Sequence, residues 1–468
     1  MRVLSFAFNV LVIRRLGAEA FGQYMAIGAF GELFLFVADL GLAPYAVREY
    51  ARMRDLPDGM DRAHRLFGNL LWLRIALGMV AGVSTVIAGL VTQRPFEVVL
   101  ALTINALFLW VYGIQGASEV TLSGFERLDL SAGAKVLNQL IFVFAGGVAL
   151  FAGAGYFGLI GANLLGGIAM AVICWRGVRR LGVRPTPPVL AEWPKLLRAA
   201  LPFGLVTFAL GLSYRFDTVL LDIWQGDVVT GHYRAAYNLI FSLVMFSNVI
   251  NTALYPTLTR QAARSPERLA ELTTRVLRYL LSVGLPLAIG GFVLAGPLVD
   301  FLYGSQQYAD SVSALAILIW VLPFMYASEF LGYVILITNR ERYVARAVIV
   351  STAVNVLMNL LLVPRFGLLA ASAMTVLTEI VLVTQHVWNL RPLSQEIDWG
   401  RALLRPLLAA LIMGAALVAV GSLVPWWASI VIGVVVYAGA GVLVGAYGPA
   451  DLDFLRRSRS AGAEATQA

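Results

Sequence analysis

Arg14, Arg15, Arg74 and Arg215 stand inside or at the ends of long apolar runs, where an ionised side chain costs roughly 2.5–3.5 kcal/mol to insert into a bilayer. A guanidinium matches the oxygens of a phosphate in bidentate geometry, and a low-dielectric cavity strengthens that attraction. Glu32, Asp39, Asp217, Glu329 and Glu379 occupy similar runs; buried carboxylates can carry a proton, bind sodium or gate by pairing with arginine. Asn105, Asn138 and Gln139 can hydrogen-bond the hydroxyls of a sugar, or else join one helix to the next.

Spacing limits how these groups pair. Glu32 and Asp39, seven apart, share a helix face. Asp217 lies two residues from Arg215, about 200° around a helix, and cannot pair with it along one face. Asp222 shares the Arg215 face but two turns away. Partners on other helices or in a cargo are therefore expected. Arg74 lies about seven residues from a span end, and both it and Arg215 are within reach of snorkelling to an interface.

Other chemistries are absent. Cys174 is the single cysteine, so neither a disulfide nor a thiol redox pair can form, and His64, His232 and His386 are too far apart in sequence to suggest a metal site. No G-x-x-x-x-G-K-[ST] loop occurs. No cofactor is expected, and the driving force would be an H+ or Na+ gradient or consumption of the cargo on the far side.

The elements positioning these residues are apolar helices. Of 468 residues, 59% are hydrophobic and 13% charged, against about 25% charged in a soluble domain, and the mean hydropathy is +0.79. Such a chain needs lipid as solvent. Runs of roughly 20 apolar residues give about fourteen spans: 3–16, 24–45, 67–92, 97–117, 133–153, 157–175, 199–223, 233–255, 277–302, 312–338, 344–363, 367–389, 402–424 and 426–447. The fold class is all-α and polytopic, and no loop has room for an extramembrane catalytic domain. The net charge of +8 does not mark a nucleic-acid surface, because 27 of the 35 Lys and Arg fall in alternate short loops and the C-terminal tail. The opposite loops hold Arg14, Arg15, Arg94, Arg234 and Arg365. This bias places both termini in the cytoplasm.

"GAEAFGQY" from Gly17 recurs as "GDVVTGHY" from Gly226, and "FGLIGA" from Phe157 as "FGLLAA" from Phe366, both at a shift of 209 residues. Two matches in one register imply a duplicated six-span unit, and the even span number sets both copies in the same direction across the membrane. The expected organisation is a first six-helix lobe over 1–182, a cytoplasmic linker over 183–198, a second lobe over 199–390, two additional helices within 391–454, and a disordered cytoplasmic tail over 455–468.

"RRLGAEAFGQYMAIGAFGELFLFVADLGLAPYAVREYAR" and "LPFGLVTFALGLSYRFDTVLLDIWQGDVVTGHYRAAYNLI" resemble the openings of the two halves of oligosaccharide flippases of the polysaccharide transport family, within the multidrug/oligosaccharidyl-lipid/polysaccharide superfamily. The resemblance covers nearly the whole chain. It implies a V-shaped cavity between two six-helix lobes, alternating access, and a polyprenyl-pyrophosphate-linked oligosaccharide as cargo in surface polysaccharide biosynthesis. On that reading the four arginines hold the pyrophosphate. Membrane lipids, a polysaccharide polymerase and a chain-length regulator are the expected partners, a bacterial inner membrane is the location, and the protein is not an enzyme. The alternatives are a lipid II flippase or a multidrug exporter of the same superfamily; a membrane-embedded glycosyltransferase or polymerase fits less well.

Overall fold

The computed structural model describes residues 2–53, 56–262, 265–304, 306–421 and 423–446; the expected tail over 455–468 lies outside them. Among the described residues the chain is helical without strands. The first half comprises α1 (Arg2–Asp39), α2 (Leu42–Met53), α3 (Gly59–Val91), α4 (Phe96–Gly124), α5 (Leu128–Phe151) and α6 (Gly155–Arg180). The second comprises α7 (Trp193–Gln225), α8 (Asp227–Ala262), α9 (Pro266–Val293), α10 (Ala295–Tyr303), α11 (Asp310–Leu318), α12 (Val321–Ile337) and α13 (Glu341–Asn389). A single turn, α14 (Arg391–Ser394), precedes α15 (Arg405–Val420) and α16 (Trp426–Leu443).

Twelve helical stretches among the described residues are long and apolar enough to cross a membrane. Two of them, Val3–Met53 and Glu341–Asn389, are 51 and 49 residues long, more than twice the roughly 20 residues one crossing takes. Each breaks sharply at a glycine: Gly17 (φ 76°, ψ 173°) in α1 and Gly367 (φ 53°, ψ −131°) in α13. Counting both arms of each recovers fourteen crossings. Between the first and second spans a seven-residue connection was expected, yet the chain turns at one residue, because glycine adopts positive φ without the steric cost other residues meet.

The duplication is visible in the backbone. Gly226, equivalent to Gly17, separates α7 from α8 with nearly the same dihedrals, φ 85° and ψ 176°. Beyond each break the helices cross at close range. A Cβ on Gly22 would stand 1.8 Å from the carbonyl oxygen of Asp227, and one on Gly231 would stand 2.0 Å from that of Ala18. Gly231 is the equivalent of Gly22, and Asp227 that of Ala18, so the contact is reciprocal, as a local two-fold axis between α1 and α8 produces.

The described chain divides into two compact units. Unit 1 holds 1–238, 302–310 and 348–374. Its core includes Ile27 and Phe30 of α1 against Val98 and Leu102 of α4 and Ile160 of α6. The stretch 42–53, expected as the end of a span and a loop, is the amphipathic helix α2. Leu42, Ala46 and Tyr50, spaced by four, are buried against α3, α4 and α7, while Arg48 and Arg52 lie on the exposed side with Glu49. The linker after α6 is fastened along its length. Asn69 of α3, 1% exposed, accepts from the Val189 amide at 2.7 Å and donates to Glu192 Oε2 at 2.7 Å. Gly68 beside it lets Thr186 approach so closely that a Cβ would meet its carbonyl oxygen at 2.3 Å.

Unit 2 holds 239–301, 311–347 and the chain from 375 onward. Leu281, Leu285 and Ile289 of α9 pack on Ala410, Met413 and Leu417 of α15, and Tyr437 of α16 donates to the Ser282 carbonyl at 2.8 Å. The two additional helices are thereby anchored on α9.

Candidate functional site

A cavity of about 310 Å³ opens within unit 1. From α1 it takes Met25, Gly28, Ala29 and Glu32, positions i, i+3, i+4 and i+7 of one helical face. Gly28 leaves its space unfilled, with nothing within 4 Å of where a Cβ would stand. The other walls supply carboxamides: Asn9 before the α1 break, Asn105 of α4, Asn138 and Gln139 of α5, and Asn163 of α6. Asn105 is oriented by donating to the Ile27 carbonyl at 3.2 Å. Tyr24 and Phe142 add aromatic faces.

Arg215 of α7 enters from the remaining side. Its Nε donates to Glu32 Oε2 and its Nη2 to Glu32 Oε1 at 3.0 Å, a two-point fork of the kind guanidinium forms best. Arg215 is 24% and Glu32 45% exposed, and they are the only charged residues lining the cavity among the described ones. The structure thus brings together Glu32, Asn105, Asn138, Gln139 and Arg215 from the sequence-derived candidates.

The other candidates lie elsewhere. Arg74 is 2% exposed and pairs with Asp39; Gly116 opposite makes room, since a Cβ there would stand 2.1 Å from Arg74 Nη1. Asp217 is fully buried, accepting from Tyr233 Oη and, at 2.6 Å, from the Thr218 amide. Arg14 donates from Nε to the Leu302 carbonyl at 2.6 Å, and Arg15 stacks on Phe151 at 4.7 Å; both guanidiniums are on the side of the Gly17 break.

On that side ion pairs fasten the helix ends of unit 1. Arg94, in the α3–α4 connection, donates to Asp222 near the end of α7 and lies 3.7 Å from Asp227, which also accepts from Gln23 at 3.1 Å. Tyr308, from the 302–310 segment, donates to the Ile13 carbonyl at 2.9 Å. Ile13 is the equivalent of Asp222, so each half's connection grips the same point of the other half's first helix.

Glu329 and Glu379 fall in unit 2. Glu379, 8% exposed, accepts from Ser328 Oγ at 2.8 Å, and the Ser328 carbonyl lies 3.1 Å from His386 Nδ1. With Nδ1 donating there, Nε2 is a buried lone pair without a partner among the described residues. Glu329 accepts from Asn248 at 3.4 Å. No group of three or more metal-type ligands converges among the described residues. Unit 2 also encloses an apolar cavity of about 460 Å³ between α8, α9, α15 and α16, lined by residues such as Leu243, Leu287, Met413 and Val434.

Two site residues escaped the reading of the sequence, and one buried arginine was misplaced. Asn9 and Asn163 carry the same signal as the amides that were picked out, a carboxamide within an apolar run. Arg234, assigned to a loop, lies inside α8 and is 6% exposed, as Arg365 lies inside α13; helices that continue up to a glycine break leave no loop there. Among the described residues neither Nε nor Nη1 of Arg234 meets an acceptor, and its guanidinium sits 5.0 Å from the Tyr237 ring.

Fold and site, with the similarities that follow, define a polytopic helical transporter of the flippase kind. Residues 1–262 match the profile of the family described as "Polysaccharide biosynthesis protein", and the chain belongs to that family; residues 202–361 also match the MatE family. The chain is similar to the probable low-salt glycan biosynthesis flippase Agl15 of Haloferax volcanii, 21% identical over 90% of both chains. It is also similar to a putative O-antigen transporter of Shigella dysenteriae, 25% identical over 40% of this chain and 46% of that one. Among solved structures, the lipid II flippase MurJ in an inward closed conformation superposes with a TM-score of 0.80 at 13% identity, covering 94% of this chain and 96% of that one. An inward-facing multidrug resistance MATE transporter superposes at 0.66 with 16% identity over 85% and 95%. The fold is that of the multidrug/oligosaccharidyl-lipid/polysaccharide superfamily.

Proposed function

We propose that this protein moves a polyprenyl-pyrophosphate-linked oligosaccharide from the cytoplasmic to the outer leaflet of the plasma membrane by alternating access. The observation that carries the reading is the membrane-embedded cavity with five carboxamide side chains and two aromatic rings, a lining suited to a sugar and unsuited to an apolar drug. The names of the relatives, a glycan biosynthesis flippase and an O-antigen transporter, support the same cargo class. The apolar cavity in unit 2 has the chemistry for an isoprenoid chain. Arg14 and Arg15, exposed on the side of the Gly17 break, would meet the pyrophosphate as it emerges there, and the arginine-rich opposite side is the cytoplasmic one. Glu379, Ser328, His386 and Glu329 form the polar group best placed to couple transport to H+ or Na+.

The test is deletion of the gene with measurement of surface polysaccharide and of polyprenyl-linked oligosaccharide in the membrane. Loss of the first with accumulation of the second on the cytoplasmic leaflet is the expected result. Unchanged amounts of both, in a strain without a second transporter of this type, would move the assignment to export of another solute.

A further inference from the structure

We infer that the unit 1 cavity selects an uncharged sugar, and that the Glu32–Arg215 pair is what sets this selection; the inference rests on the flippase reading and names the part of the cargo the cavity takes. The volume of about 310 Å³ lies at the small end of ligand sites, roughly 300–1,000 Å³, with room for about one or two sugar rings. Each carboxamide both donates and accepts, as hydroxyl and acetamido groups do, whereas an ionised group does only one. Tyr24 and Phe142 offer flat apolar surfaces to the C–H face of a ring.

The charge on the cavity wall is cancelled in place. Arg215 spends two of its donors on Glu32, and the pair remains open to the cavity, at 24% and 45% exposure. A sugar carboxylate would face Glu32, and at Arg215 it would share one cation with Glu32, leaving a net negative charge inside the membrane, a costly arrangement. A sugar ammonium would meet the mirror-image penalty from Arg215. Arg234 stands within electrostatic range of Arg215, and Asp217 within range of Arg234. The pair thus works as a filter against either sign, since a mismatched charge raises the free energy of the complex more than a matched hydrogen bond lowers it.

The experiment measures binding to the purified full-length protein of three probes: a short-chain prenyl diphosphate, the same lipid carrying an N-acetylglucosamine disaccharide, and the same lipid carrying a glucuronic-acid-terminated disaccharide. The wild type is expected to hold the neutral glycan at least about tenfold more tightly than the acidic one. E32Q leaves Arg215 as an unbalanced cation and should reduce or reverse that ratio. E32Q/R215Q, without either charge, should lose the discrimination and bring the ratio of the two affinities close to one, and it keeps the test open if E32Q fails to fold. Equal binding of the two glycans by the wild type, or a ratio unchanged in a folded E32Q, would overturn the charge selection alone. A wild type that holds neither glycan better than the bare prenyl diphosphate would instead overturn the glycan reading of the cavity.

Discussion

Gly22 and Gly231 each press against the backbone of the other's helix, Gly22 on the Asp227 carbonyl and Gly231 on the Ala18 carbonyl. The obstacle at both positions is main chain, which cannot rotate away as a flexible side chain can. Gly231→Ala is therefore expected to force α1 and α8 apart and to destabilise the state with these helices in contact by about 1–3 kcal/mol. Thermal unfolding in detergent would register this as a lowered midpoint, and Gly22→Ala should produce a drop of similar size; an unchanged midpoint in both would mean that the contact is not populated.

Asp222 is 2% exposed and depends on Arg94. Removing one member of such a pair leaves the other charge buried and uncompensated, at a cost of roughly 3–5 kcal/mol. Arg94→Ala should accordingly reduce folded yield sharply, while Arg94→Ala combined with Asp222→Asn should recover much of it. A double variant no more stable than the single one would show that Asp222 has another source of compensation.

Asn69 makes two hydrogen bonds to the linker, each contributing roughly 0.5–1.5 kcal/mol, or more where the partner is charged. Asn69→Ala should detach residues 183–192 from α3 and expose them to protease. Limited proteolysis of the protein in membrane vesicles oriented with this loop outward would then cut there several-fold faster than in the wild type, with Asn69→Asp intermediate because it retains only the acceptor.

Glu379→Gln keeps a hydrogen-bond partner for Ser328 but can neither carry a charge nor exchange a proton. Cargo binding is expected to persist, while stimulation of transport by an imposed H+ or Na+ gradient in proteoliposomes should be lost. Retained stimulation would place coupling elsewhere.

The spans, the duplication and three of the five cavity carboxamides could be read from residue order because each leaves a local mark: an apolar run, a recurring glycine pattern, an amide where apolar residues surround it. The pairings could not. Arg74 finds Asp39 across 35 residues and Arg94 finds Asp222 across 128, and helical spacing speaks only for neighbours within about two turns. Asp222 shares a helix face with Arg215, yet Arg215 is matched to Glu32 of α1 and Asp222 to Arg94 of the α3–α4 connection. The turn at Gly17 was misjudged in length for a related reason: polar residues such as Glu19 and Gln23 suggest a loop, although both continue the helix and Gln23 serves at its crossing by donating to Asp227.

A unit bearing the Ala18–Gly22 pattern presents both a carbonyl and the glycine that receives one, so it is self-complementary: two copies inserted in the same direction can dock without further invention. Fusing such copies into one chain frees them to diverge. At the shift of 209 residues, Asn9, Asn105, Asn138, Gln139 and Asn163 correspond to Thr218, Ala314, Ala347, Val348 and Ser372, whereas Glu329, Glu379 and His386 correspond to Val120, Met170 and Gly177. The descendant halves have diverged at these positions, the first placing amides in the unit 1 cavity and the second placing Glu329, Glu379 and His386 in unit 2, a division of labour that two products of a single unfused gene could not sustain.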